Sequence, residues 1–236
     1  MNTAYKRVVI KLSGESLAGN KGFGFDFDTI MKISEDIKKI WELRVQIVIT
    51  LGGGNFWRGR NDSPLSQVTS DNIGMISTLP NALALSNILE NIGVPVCVFS
   101  TLYVEGITTD YNVNKAIECL QNDRIAIIAC GVGKSGYTSD TAATLRAMEV
   151  NADIVLMAKN VDGIYDSDPK KFMNAKKYNS IRISELLEKR LFVIDTSAAQ
   201  MCKDNGIKCL VFGINEPNCF SRIIKGEYIG TVVLPC

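Results

Sequence analysis

Histidine is absent from the 236 residues, which removes the commonest general base and the commonest transition-metal ligand, and with them Ser-His-Asp, Cys-His and His-zinc chemistry. Charge of one sign is missing too. Twenty-six Lys and Arg stand against 25 Asp and Glu, a net charge of +1, so no global field gathers nucleic acid or an anionic membrane, and neither is expected as a partner. The seven cysteines (97, 119, 130, 202, 209, 219 and 236) are scattered and odd in number, with no Cys-x-x-Cys pair. That argues against a disulfide framework or zinc site and for a reducing, cytoplasmic setting. No apolar run approaches the roughly 20 residues of a membrane span, and the stretch Met1 to Arg7 lacks the h-region of a signal peptide. Chemistry is left to Lys, Arg, Asp and backbone.

The chain is 46% hydrophobic, enough for a substantial core. Short β-branched runs recur at Val8 to Ile10, Val45 to Ile49, Val94 to Phe99, Ile125 to Ala129, Ile154 to Met157 and Cys209 to Phe212. Helical spacing lies between them, as in Ile30, Ile33, Ile37, Ile40 and Trp41, and in Leu79, Leu83, Leu85, Ile88, Leu89 and Ile92, with Asp26 or Asp28 and Asp71 as N-caps. This alternation predicts an α/β fold, a three-layer αβα sandwich with a mostly parallel central sheet. Ligands of such sheets bind at the carboxyl ends of the strands. Residues 166–178, rich in Lys, Asp and Asn, read as a mobile surface loop. With no linker visible, the expectation is one domain over 1–236, divided functionally into an acceptor half (1–150) and a donor half (151–236).

The glycine turns fall at strand ends. Leu51-Gly52-Gly53-Gly54-Asn55 follows an apolar run, and bare backbone there lets an anion approach N–H groups closely. Arg58 adds a bidentate guanidinium nearby. A flexible turn is the plainer alternative for a glycine triplet alone. Lys11-Leu12-Ser13-Gly14-Glu15 puts a lysine on the same rim, suited to neutralise a transferring phosphoryl group.

Gly131-Val132-Gly133-Lys134-Ser135 has the ending of a Walker A loop, yet Ile128 stands where that loop needs its first glycine, so a P-loop is rejected. What survives is a glycine turn leading through Tyr137, Thr138, Ser139 and Asp140 into a helix over 141–150, whose N-terminus suits a small anion or a base edge. Ser139 or Asp140 could equally be a simple cap. Asn160-Val161-Asp162-Gly163-Ile164-Tyr165 with Asp168-Pro169 mixes an aromatic face with carboxylates. It could stack an adenine ring, or be an ordinary turn.

Taken in order, Lys11 to Glu15, Gly52 to Asn55 with Arg58-Gly59, Asp71 with Gly74-Met75, Thr138-Ser139-Asp140 and Val161 to Tyr165 with Asp168-Pro169 resemble the bacterial uridylate kinases of the amino acid kinase superfamily. The resemblance covers nearly the whole chain. It implies transfer of phosphate from ATP to UMP with Mg2+ on the donor phosphates, in a homohexamer assembled as a trimer of dimers. By that resemblance Lys11, Arg58 and Asp140 are catalytic, Asp140 orienting the lysine or a metal. Lys11, Leu12, Ser13, Gly14, Gly54, Arg58, Asn160, Tyr165 and Asp168 bind ATP. Gly53, Asp71, Val132, Gly133, Lys134, Ser135, Gly136, Tyr137, Thr138 and Ser139 bind UMP. Gly19, Asn20, Lys21, Gly22, Phe23 and Gly24 are similar to a segment associated with activation by GTP, and UTP is the expected inhibitor. The acceptor loop departs from the family's Gly-Thr-Gly-Asn-Pro pattern followed by two aromatics, losing a threonine, the proline and an aromatic. Two other readings fit the residues: a relative acting on acetylglutamate or carbamate, and a weakly catalytic nucleotide-sensing regulator.

Overall fold

The chain alternates strand and helix from the first buried run onward, and the computed structural model describes residues 3–59, 64–169 and 171–235. Strand β1 (Arg7–Leu12) is followed by α1 (Gly14–Ala18), α2 (Phe27–Glu42), β2 (Gln46–Leu51), α3 (Gln67–Ile76), α4 (Thr78–Asn91), β3 (Val96–Ser100), β4 (Thr109–Asp110), α5 (Val113–Gln121) and β5 (Ile125–Ala129). Then come α6 (Ser139–Glu149), β6 (Ile154–Lys159), β7 (Ser180–Arg182), α7 (Ile183–Glu188), α8 (Thr196–Asp204), β8 (Cys209–Gly213), α9 (Cys219–Ile224) and β9 (Thr231–Leu234).

The strands form one sheet in the order β4-β3-β5-β2-β1-β6-β8-β9-β7. Every neighbouring pair is parallel except β8 with β9. Alternate residues of each central strand feed opposite layers, as period-two geometry requires. Val8, Ile10 and Leu12 of β1 pack with Leu17 of α1, Ile30 and Ile37 of α2, Leu85 of α4 and Phe220 of α9. Val9 packs on the other side with Ala116 of α5, Ala143 of α6, Leu186 of α7 and Ala198 of α8. The αβα sandwich expected from the alternating runs is the fold found.

Helix starts follow side-chain chemistry. Asp26 caps α2, its carboxylate accepting from Thr29 N at 3.3 Å, and the Ile30, Ile33, Ile37, Ile40 stripe is buried. The expected cap at Asp71 is wrong: Ser66 caps α3, and Asp71 lies inside that helix. Its carboxylate instead accepts from Gln67 Nε2 at 2.6 Å and from Gly136 N at 2.7 Å. Likewise neither Ser139 nor Asp140 caps α6. Thr138 does, accepting from Asp140 N at 3.1 Å and Thr141 N at 3.2 Å, so the helix begins two residues before the predicted Thr141. Strands β4, β7 and β9 were not expected; they are short and lie in the outer parts of the sheet.

Candidate active site

The carboxyl ends of β1, β2, β5 and β6 open on one rim, and the glycine turns lie there. The β1 and β2 turns meet backbone to backbone. A Cβ on Gly14 would stand 2.3 Å from Asn55 Oδ1, 2.7 Å from Gly54 N and 2.8 Å from Gly52 O, so Gly14 is demanded by packing before any ligand arrives. The turn after β2 is pinned from below by Asn81, fully buried on α4. Asn81 donates to Gly52 O at 2.7 Å and exchanges 2.8 Å bonds with the Asn55 side chain. Nothing in the sequence pattern singles out Asn81.

Parallel pairing places Lys11 opposite Met157 on β6. Lys159 therefore emerges two residues further along, on the same face of the sheet as Lys11. Over them sits the first turn of α6. Asp140 Oδ1 lies 3.1 Å from Lys11 Nζ, and Asp140 Oδ2 accepts from Lys159 Nζ at 2.6 Å. One carboxylate thus holds two ammonium groups, all three side chains being largely buried. Burial pushes the Asp140 carboxyl up, but the charges of Lys11 and Lys159 and their hydrogen bonds outweigh it and leave it below the ordinary carboxylate value. Lys159 is lowered, by burial first and by the Lys11 charge second, against the opposing pull of Asp140. The sequence alone gives Lys159 no role, because its place beside Lys11 depends on the pairing of β6 with β1.

Two cavities open beside this triad. The first, of about 500 Å³, is lined by residues that include Gly52, Gly53, Arg58, Asp71, Val132, Lys134, Tyr137, Thr138 and Ser139. The second, of about 390 Å³, is lined by Lys11, Thr138, Ser139, Asp140, Lys159, Phe192, Val193, Asp195 and Thr196. They share Thr138 and Ser139, so the N-terminus of α6 forms the wall between them. Asp195 caps α8 and accepts from the hydroxyls of Thr138 and Thr141, tying α8 to this wall. It too escaped the sequence reading.

The remaining predicted residues sit as follows. Ser13 caps α1, accepting from Ser16 N at 3.1 Å, and the buried side chain of Leu12 joins the core below the rim. Gly54 faces the Glu15 side chain, and Arg58 forms an ion pair with Glu15 from a largely exposed position. Gly133 packs on Thr101, Gly136 donates to Asp71, and Ser135 belongs to the same turn. Asn160 donates to Glu15 at 3.2 Å and Tyr165 to Asp162 at 2.8 Å; with Asp168 they line neither cavity. Gly19, Asn20 and Lys21 form a 3-10 turn ahead of Gly22, and Phe23 stands exposed, its ring edge-on to Phe56. Gly24 N donates to Asn55 O at 3.1 Å and Gly24 O accepts from Asn55 Nδ2 at 2.8 Å, so this segment is bonded directly to the glycine turn.

Among the described residues no cluster of three or more acidic or thiol side chains could enclose a metal ion. The carboxylate of Asp140 is committed to two lysines and that of Asp195 to two hydroxyls and a backbone N–H. The donor set is one for anions.

Known proteins share this fold. A UMP kinase from Bacillus anthracis superposes with a TM-score of 0.94 at 33% identity, over 98% of this chain and 96% of that one. One from Ureaplasma parvum gives 0.91 at 36% identity, over 97% and 98%. A uridylate kinase from Archaeoglobus fulgidus gives 0.75 at 26% identity, over 96% and 99%. Residues 6–213 match the amino acid kinase family, and the chain belongs to that family.

Proposed function

We propose that this protein is a UMP kinase, transferring the γ-phosphoryl group of ATP to the phosphate of UMP. The observation that carries the reading is the buried Lys11–Asp140–Lys159 triad standing beside two cavities that meet at Thr138 and Ser139. In-line phosphoryl transfer spreads negative charge over three equatorial oxygens, and a pair of preset cations is suited to meet it. Asp140 aims both lysines at one point. No proton need be removed from the acceptor, since a phosphate monoester with a second pKa of about 6 is already largely ionised at neutral pH. The missing histidine is therefore no obstacle.

The acceptor is assigned to the larger cavity, with Asp71 toward the ribose and residues 132–139 around base and phosphate. The donor phosphates are assigned to Lys11, Ser13, Gly14, Gly54 and Arg58, and adenosine to Asn160, Tyr165 and Asp168. Sheet order supports the division into halves, because β1 to β5 occupy one side of the sheet and β6 to β9 the other. Mg2+ belongs to the incoming nucleotide, whose phosphates carry it and need few protein ligands. We assign the chain to a cytoplasmic homohexamer activated by GTP through residues 19–24 and inhibited by UTP. The unpaired cysteines of the described residues support a reducing compartment, and the bonds between Gly24 and Asn55 give the GTP segment a route to the phosphate turn.

The test is an acceptor panel with MgATP. UDP formed from UMP, with acetylglutamate and carbamate inert, is the expected result. Turnover of acetylglutamate or carbamate in place of UMP would move the protein to another branch of its family, and tight GTP or UTP binding without turnover would make it a sensor.

A further inference from the structure

The loop proposed to hold the acceptor leaves the sheet through an unusual corner. Cys130, the residue after β5, has φ of 60° without being glycine, and Gly131 follows at 55°. L-residues with a Cβ enter that region only when their surroundings hold them there. Both backbone groups of Cys130 are held by side chains from other elements. Its N–H donates to Thr78 Oγ1 of α4 at 2.7 Å, and its carbonyl accepts from Thr101 Oγ1, just past β3, at 2.6 Å.

Thr101 touches the loop a second time. A Cβ on Gly133 would lie 3.2 Å from the Thr101 side chain, so the turn is seated on this residue. Beyond Cys130, the buried Arg146 of α6 reaches Gly131 O at 3.4 Å while stacking on Tyr111 at 4.1 Å and bonding Glu149 at 2.5 Å. Within the loop Gly133 N also donates to Cys130 O at 3.0 Å, which closes the first turn, but Gly131, Gly133 and Gly136 all have positive φ and glycine constrains the backbone least, so the direction of that turn depends on what holds its ends. Its aim is set where it begins, at Cys130, and where it ends, at Asp71 and the Thr138 cap.

We propose that Thr101 is a positioning residue for the acceptor nucleotide: by bonding the carbonyl of Cys130 and supporting Gly133 it aims residues 131–137 at the bound monophosphate. Thr101 lines neither cavity and acts only through the loop. The proposal rests on the UMP kinase reading given above.

The test is steady-state kinetics on Thr101→Val, which keeps the shape and removes the donor, beside Thr101→Ser, which keeps the donor. Losing one such bond is expected to raise KM for UMP about ten-fold, with kcat within about two-fold, KM for ATP unchanged, and Thr101→Ser close to the unsubstituted protein. Should Thr101→Val fail to fold, Thr101→Ala reads the same ratio. An unchanged KM for UMP overturns the proposal. So does a parallel loss in kcat and both KM values that tracks a lowered melting temperature. If the unsubstituted protein makes no UDP from UMP, the underlying reading fails first and takes this one with it.

Discussion

Lys159 donates to Asp140 at 2.6 Å across the gap between β6 and α6, in a bond between a strand end and a helix start 19 residues earlier. With Lys11 on the other carboxylate oxygen, Asp140 bridges two cations. Asp140→Asn keeps the volume and removes the negative charge, leaving two buried ammonium groups to repel one another. The expected outcome is a loss of at least about 100-fold in kcat and, from a broken buried pair, about 3 kcal/mol of stability. Turnover and thermal melting check the two parts separately.

The lowered pKa of Lys159 has a sign that can be followed. Burial and the Lys11 charge favour its neutral form, so in the folded protein the proton leaves at lower pH than the 10.5 of an ordinary lysine. If the charged form is the working one, kcat should fall on the alkaline side before an ordinary lysine would titrate. Lys159→Arg should push that limb upward, since guanidinium does not deprotonate in this range. The stability ledger runs with it. The penalty for burying charged Lys159 is felt below its folded pKa and relieved as pH rises through it. Asp140, held below the ordinary 3.8, contributes stability at pH above that value, lost as pH falls through its lowered folded pKa. A pH–kcat profile of the two proteins decides whether Lys159 acts in its charged form.

Arg58 separates function from stability in a different way. Its ion pair with Glu15 is 59% exposed on the arginine side, and such pairs contribute about 0–1 kcal/mol. Arg58→Met should therefore leave the melting temperature nearly unchanged while lowering kcat/KM by about 100-fold, as loss of a cation facing the transferring group would. Retention of full kcat/KM would remove Arg58 from the catalytic set.

Six of the strands were legible because strands buried on both faces read as unbroken β-branched runs, and Val8 to Ile10 or Ile125 to Ala129 could hardly be anything else. Strands β4, β7 and β9 were not, since two to four residues with polar neighbours leave no period to read. Of the site, Lys11 and Asp140 were legible through their motifs. Lys159 was not, because its meaning depends on β6 pairing with β1, a contact 146 residues apart at Lys11 and Met157. Asp71 was placed at a helix start because Asp is a strong cap. Ser66, five residues earlier, took that role and left the carboxylate for Gly136.

The glycine triplet is open to a sharper experiment than its sequence suggested, because its members are bare for different reasons. A Cβ on Gly53 would stand 2.3 Å from Gly74 O and 2.8 Å from Ser77 Cβ, pushing the turn off the end of α3 and its junction with α4 beside the cavity assigned to the acceptor. Gly53→Ala should cost about 1–3 kcal/mol through overpacking and weaken UMP binding because α3 carries Asp71. A Cβ on Gly54 meets only the Glu15 side chain at 3.6 Å, an ordinary contact, and Gly54 has no positive φ. Gly54→Ala should then melt at the same temperature or slightly higher, since alanine loses less chain entropy on folding. Its KM for ATP should nevertheless rise, the methyl standing where the proposed donor site brings a phosphate oxygen to the main chain. Unchanged KM for ATP in a normally folded Gly54→Ala protein would mean that the donor phosphates do not touch this turn.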